Sequence, residues 1–328
     1  MESRLETMTA RKQVSAVVIG RNEGDRLVAC LASLVDQADP IVYVDSGSSD
    51  GSIQAASAAG AHIVALDESV PFTAARARNA GMAALPDGPA SPAYVQFVDG
   101  DCTIDQDWFS VATAFLDNHP SAVAVCGRRR ERFPDASVYN WLCDREWDTP
   151  VGRTGACGGD ALMRLAAVRA VGGYRAEMIA GEEPELCVRL RAQGGEIWRI
   201  DADMTRHDAA MTRFGQWWRR TRRGGHAFAE GAALHGAPPE RHSVSETRRA
   251  VLWGALLPST ALLGTFISPW ALALLLAWPL QVLRLGPREG WTRAFFLTLG
   301  KVPEAQGVIE YHLRRLTGQR ADLIEYKS

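Results

Sequence analysis

A chain of 328 residues is long enough for one large domain with an appendage, or for two domains. Its formal net charge of −2 supplies no electrostatic case for a nucleic-acid partner. The six cysteines (Cys30, Cys102, Cys126, Cys143, Cys157 and Cys187) show no C-x-x-C spacing, which argues against a zinc site or a disulfide framework and fits a reducing compartment.

The opening "MESRLETMTARKQ" is charged and lacks the apolar core of a signal peptide, so residues 1–13 read as a flexible leader. "VSAVVIG" (Val14–Gly20) is a β-branched run of the kind that forms a buried strand. A helical pattern follows, with Leu27, Cys30, Leu31, Leu34 and Val35 on one face. "IVYVD" (Ile41–Asp45) predicts a second strand, and the small-residue helix after it stops at Gly60, a suitable residue to follow a helix end. "HIVAL" predicts a third strand. Thr73 can cap the helix "AARARNAGMAAL", and "AYVQFVD" predicts a fourth strand. Strands alternating with helices at this spacing imply an α/β fold with a mostly parallel sheet and helices on both faces. The stretch Arg128–Asp160 holds few periodic signals and reads as a lip of loops and short helices. "LAAVRAVGGY" and "EEPELCVRLRAQGG" then predict helices closed by glycine, and "EIWRI" a late strand.

Within "YVQFVDGDCTID", an apolar strand runs into Asp99 and Asp101, two carboxylates separated by one glycine. Such a pair repels itself unless a cation is held beside it. In parallel sheets ligands sit beyond the carboxyl ends of strands, where both Asp45 and this pair fall.

Six stretches, in order, carry a resemblance: "VVIGRNEGDRLVACLASL", "VYVDSGSSDGS", "ARNAGMAAL", "FVDGD", "GGDALMRLAAVRAVGGY" and "GEEPELCVRLRAQG". Together they resemble the family-2 glycosyltransferases, which have the GT-A (nucleotide-diphospho-sugar transferase) fold, over roughly Val14–His207. The resemblance implies that Asp99 and Asp101 form a D-x-D motif, Asp101 a metal ligand and Asp99 facing the metal and the donor ribose. It implies a divalent cofactor, Mn²⁺ or Mg²⁺, which prefer hard oxygen ligands. It places Asp45 against the nucleotide base, although the family often has two aspartates where this chain has "DS". Asn22, Glu23, Arg78 and Asn79 match positions that line the nucleotide pocket; bland alternatives are a helix-capping Asn22 and a solvated Arg78. The catalytic base falls in "GEEPEL", at Glu183, where the family usually has aspartate; Glu182 stays open as the alternative. His207 matches a further metal ligand.

From Arg213 the sequence becomes basic and rich in tryptophan. In "QWWRR", Gln216 and Arg219 resemble part of the Q-x-x-R-W motif of processive membrane members, with the last tryptophan displaced, and Arg219 could reach the diphosphate. The competing reading of 211–249 is an interfacial segment, arginines toward anionic head groups. Ala250–Leu285 is uncharged until Arg284 and reads as an apolar helical hairpin at a membrane; the bland alternative is a buried hairpin. Arg248, Arg249, Arg284 and Arg288 flank it, which places both ends on the cytoplasmic side. Residues 286–328 form an amphipathic tail with Ile309, His312, Leu313 and Leu316 at helical spacing.

The domains expected are therefore 14–210, a GT-A domain, then a C-terminal helical, membrane-associated region. The function expected is inverting transfer of a sugar from a nucleotide-sugar donor to a lipid-linked or glycan acceptor at the cytoplasmic membrane face, with metal-assisted loss of the nucleoside diphosphate. Two other readings are a non-catalytic sugar-nucleotide-binding membrane partner and a nucleotidyltransferase.

Overall fold

A computed structural model describes residues 14–318; the expected leader, 1–13, and the end of the tail lie outside the described residues. Two compact units are present. One comprises the chain through Met178 together with Glu182–Ala210; the other comprises Ile179–Gly181 together with the chain from Met211.

The first unit begins β1 (Val14–Gly20), α1 (Asp25–Leu34), β2 (Ile41–Asp45), α2 (Ser52–Ala58), β3 (His62–Ala65), α3 (Ala74–Ala83), β4 (Tyr94–Asp99) and β5 (Cys102–Ile104). It continues α4 (Trp108–Asn118), β6 (Ala122–Glu131), α5 (Val138–Glu146), β7 (Gly152–Arg153), β8 (Ala161–Arg164), α6 (Leu165–Ala170), α7 (Glu182–Ala192) and β9 (Glu196–His207). All nine strands join one sheet in the order β3-β2-β1-β4-β8-β6-β9-β5, with β7 on β9. The β3-β2-β1-β4 half is parallel; β8 enters antiparallel to both β4 and β6, so the sheet is mostly parallel with mixed strands.

Helices cover both faces because the strands are apolar on both. One face buries Leu27, Leu31, Leu34, Tyr43 and Trp108; the other buries Ala75, Phe97, Leu186 and Leu190. Thr73 Oγ1 accepts the Arg76 N–H at 3.0 Å and so caps α3. Val35, expected on the buried face of the first helix, is exposed, because the helix ends at Leu34. Trp108 is fully buried, and its Nε1 donates to Gln96 Oε1 at 2.9 Å, which satisfies both groups.

The expectation of loops and short helices from Arg128 to Asp160 fits the chain past Phe133, where α5 is a short helix, and needs correction at its start. β6 runs ten residues and carries Arg128 and Arg129 inside the sheet; β9 runs twelve residues to His207, well past "EIWRI". The arginines disguised the strand. Arg128 is buried because Asp144 accepts from its Nη2 at 3.1 Å, and a partner sixteen residues away is invisible to a periodicity argument.

The second unit contains α8 (Phe214–His235), α9 (Val244–Ala250), a π-helical stretch Val251–Leu256 that runs into α10 (Leu257–Gly264), a 3-10 stretch Pro269–Leu276 that runs into α11 (Ala277–Glu289), α12 (Trp291–Leu299) and α13 (Lys301–Thr317). Helix α8 and α13 approach so closely that a Cβ on Gly225 would lie 2.0 Å from the Glu304 carbonyl oxygen, and one on Gly307 would lie 2.0 Å from that of Arg222. Helix α13 buries Pro303, Ala305, Gly307 and Val308, while Ile309, Leu313 and Leu316 face outward. Among the described residues one helix, Pro269–Glu289, is long and apolar enough to cross a membrane. Phe266, Ile267 and Trp270, at the turn of the hairpin, are 84–93% exposed.

Candidate active site

Register builds the site. Gly20 of β1 lies beside Asp45 of β2, and Ile19 of β1 lies beside Asp99 of β4, so the two aspartates flank the carboxyl end of the first strand. The order 3-2-1-4 reverses direction at this point, which is where open α/β sheets bind ligands. Two loops meet over it. Asn22 Oδ1 accepts the Ser49 N–H at 2.8 Å, its own N–H donates to Ser48 Oγ at 2.9 Å, and the Gly24 N–H donates to Asp50 Oδ2 at 3.1 Å. Asn22 thus ties β1's loop to β2's rather than capping the next helix. Glu23 pairs with Arg26 at 2.8 Å. Asp45 is buried and shapes its own turn: Oδ2 accepts the N–H groups of Gly47 and Ser48, and Oδ1 accepts the Tyr43 hydroxyl at 3.0 Å.

Arg78 is the hub. It is 2% exposed, with Nη1 2.6 Å from Glu182 Oε1 and Nη2 2.9 Å from Asp99 Oδ1, so it is no solvated helix arginine. Burial alone would lower its pKa; Asp99 and then Glu182 outweigh that and raise it above the usual value, so the guanidinium stays charged. Asn79, its neighbour, grips the Tyr174 backbone at both ends, Nδ2 to its carbonyl at 2.7 Å and Oδ1 from its N–H at 2.8 Å.

A second arginine, which the sequence did not single out, completes the surround. Arg129 Nη2 is 3.4 Å from Asp99 Oδ2 and its Nε is 3.4 Å from Asp160 Oδ2, while its guanidinium stacks 4.9 Å from the Trp147 ring. Asp160 is fully buried; it also accepts the Thr205 hydroxyl at 2.9 Å and the Asp99 N–H at 3.3 Å. Asp160 lies in the quoted "GGD" stretch, and a carboxylate after two glycines at a strand start was the available signal.

Asp101 and His207 meet on the other side, Nε2 to Oδ2 at 3.2 Å, because β5 places Cys102 opposite His207 on β9. With Cys102 they offer ligand atoms within 4.8 Å of one another; Asp99 stands outside that group. Burial, and then Arg129, hold the His207 pKa below its ordinary value, which leaves a neutral ring with a lone pair to offer. Its Nδ1 is buried without a hydrogen-bond partner, with Glu131 Oε2 3.9 Å away. Around this edge Asp99, Asp101, Asp160 and Glu182 outnumber Arg78 and Arg129. Excess buried carboxylate beside a neutral imidazole suits a divalent cation.

The acid pair divides. Glu183 is 1% exposed, and its two oxygens accept the N–H groups of Cys157 at 2.8 Å and Gly158 at 2.9 Å. Gly158 and Gly159 that follow have φ of +93° and +107°, a conformation glycine adopts without strain. Glu182 is more open; Arg78 takes Oε1, and among the described residues Oε2 has no hydrogen-bond partner. Gln216 and Arg219 belong to the second unit. There Gln216 Oε1 accepts the N–H groups of Thr212 and Arg213 and fixes the start of α8; Arg219 lies one turn on.

Residues 15–149 match the model of glycosyl transferase family 2. A TPR repeat-containing protein of Synechococcus elongatus is 34% identical over 133 residues, 40% of this chain and 31% of that protein, so this chain spans about a third of its length. Among solved structures, mannosyltransferase PcManGT from Pyrobaculum calidifontis, in complex with GDP-Man and Mn²⁺, superposes with a TM-score of 0.63 at 19% identity, covering 90% of this chain and 87% of that one. S. aureus TarS 1–349 gives a TM-score of 0.52 at 14% identity over 94% and 92%. Glucosyl-3-phosphoglycerate synthase from Mycobacterium tuberculosis, in complex with Mn²⁺ and UDP-glucose, gives 0.52 at 18% over 73% and 84%. The sheet order, the aspartates at its carboxyl edge and these matches agree: the first unit has a GT-A-like fold, and residues 15–149 within it match glycosyl transferase family 2.

Proposed function

We propose that this chain is a glycosyltransferase that moves a sugar from a nucleoside-diphosphate donor to an acceptor hydroxyl with inversion, at the cytoplasmic face of a membrane. The observation that carries the reading is the Arg78 bridge, in which one buried guanidinium holds the D-x-D aspartate Asp99 and Glu182 of the acid pair. Two solved relatives of this fold are complexes with a nucleotide-sugar and Mn²⁺, which supports the same ligand class here.

Asp101 and His207 would hold a divalent cation. When bound, it supplies charge to offset the departing nucleoside diphosphate. Asp45 and the loop it shapes, with Asn22 and Glu23, line the place of the nucleoside. Asp99, clamped between Arg78 and Arg129, is fixed in orientation for the ribose.

Glu182 is the base that the geometry supports. Its Oε1 is held by Arg78, and its second oxygen is available to take the acceptor's proton. Glu183, at the position matching the family's usual base, would first have to release the Cys157 and Gly158 amides; its present role is to hold that loop. Replacing each with glutamine separates the two. E182Q is expected to lose turnover by roughly 10²–10⁴-fold while keeping donor affinity. The converse pattern, turnover lost only in E183Q, would return the base to Glu183.

The apolar hairpin, flanked by Arg248, Arg249, Arg284 and Arg288, supports membrane association with both ends cytoplasmic. The outward row Ile309, Leu313 and Leu316 adds a second apolar surface of the same unit. A lipid-linked or growing glycan acceptor follows from that location.

A further inference from the structure

Two cysteines far apart in the chain meet beside Glu183. Cys157 and Cys187 are the two, and Cys187 Sγ donates to Glu183 Oε1 at 2.9 Å. Ligand atoms of Cys157, Glu183 and Cys187 lie within 4.8 Å of one another. Two elements converge to make this: the glycine-rich loop before β8 brings Cys157, and the first turns of α7 bring Glu183 and Cys187, four residues apart on one face. Cys187 and Glu183 are buried together, the thiol on the carboxylate. None of the steps proposed above calls on a thiol.

We propose that Cys157, Cys187 and Glu183 form a binding site for a soft divalent cation of the zinc class, separate from the Asp101–His207 position. Two sulfur donors and one carboxylate oxygen suit such an ion, its fourth position left to water, while Mg²⁺ and Mn²⁺ favour oxygen. Each thiol that ligates gives its proton to solvent. Cys157 provides the way in, since it is half-buried and is followed by two glycines, whereas Cys187 is buried. A bound ion takes Glu183 away from the Cys157 and Gly158 amides and so acts on the loop that leads to Asp160. The spacing of these residues, with no two closer than Glu183 and Cys187, conceals the cluster from a search for paired cysteines.

The test is a titration of the full chain with Cd²⁺ alone, read by the ultraviolet thiolate-to-cadmium charge-transfer band. The expected result is a saturable band in the unmodified protein and in Asp101→Ala, with affinity reduced roughly tenfold or more in Cys157→Ser and in Cys187→Ser. Cys187 is fully buried, so its variant counts only if its circular dichroism matches that of the parent; Cys157→Ser, at a half-buried loop position, decides the matter otherwise. A missing band, an unchanged affinity in folded Cys157→Ser, or loss of the band in Asp101→Ala would each overturn the assignment.

Discussion

Arg78 lies 2.6 Å from Glu182, a residue 104 positions later in the chain, and both are buried. Taking one partner from a buried pair leaves an uncompensated charge, at a cost of roughly 3–5 kcal/mol. Arg78→Met is therefore expected to lower the unfolding free energy read from urea denaturation by that order and to weaken donor binding, since Asp99 then loses one of the two guanidiniums that hold it. Denaturation followed by intrinsic fluorescence, with donor titration below the transition, reads both effects.

The α8–α13 contact gives a prediction for the second unit. Gly225→Ala places its Cβ 2.0 Å from the Glu304 carbonyl oxygen, a backbone atom that cannot swing away. The helices must separate, and overpacking of this kind costs roughly 1–3 kcal/mol or more. A fall in thermal midpoint with unchanged nucleotide affinity is expected. Equal stability of the variant would show that the two helices do not make this approach.

His226, on α8, supplies a pH dependence. Burial first, then Arg314 and Arg223, push its pKa down to about 4, although Glu230 Oε2 stands 3.8 Å from Nδ1. At that distance no hydrogen bond forms, so burial and the arginines dominate. The unfolded chain binds this proton near pH 6.5, the folded chain only near pH 4, so stability is lost as pH falls through that window. The loss is on the order of 3 kcal/mol. His226→Gln should flatten the dependence of the urea midpoint between pH 6.5 and 4.5, and an unaltered slope would contradict the assignment.

Phe266, Ile267 and Trp270 are exposed at the hairpin turn. If a bilayer receives them, replacing all three with serine removes about 1.5–3 kcal/mol each of apolar transfer. Co-sedimentation with anionic vesicles is expected to fall at least a hundredfold in partition coefficient, while the urea midpoint stays put because these side chains support nothing in the fold. Unchanged partitioning would place the membrane contact elsewhere.

The parallel half of the sheet was legible because its strands are buried on both faces and read as apolar runs, such as Val14–Gly20 and Ile41–Asp45. Thr73 announced its cap by residue type and position. What stayed hidden depends on distant partners. Arg128 and Arg129 look like loop residues until Asp144, Asp160 and Asp99 are placed around them. Asp160 carries no local sign that Thr205 and Arg129 will meet it. The adjacent acids Glu182 and Glu183 look alike in sequence; only the 157–158 loop, folded over one of them, tells them apart.

The central claim, a nucleotide held with a divalent cation at Asp101 and His207, is tested most directly by calorimetric titration with a panel of nucleoside diphosphates, each with and without Mn²⁺. The account predicts metal-dependent binding of one nucleotide, lost in Asp101→Ala. Binding that is indifferent to Mn²⁺, or that survives in Asp101→Ala, would contradict it.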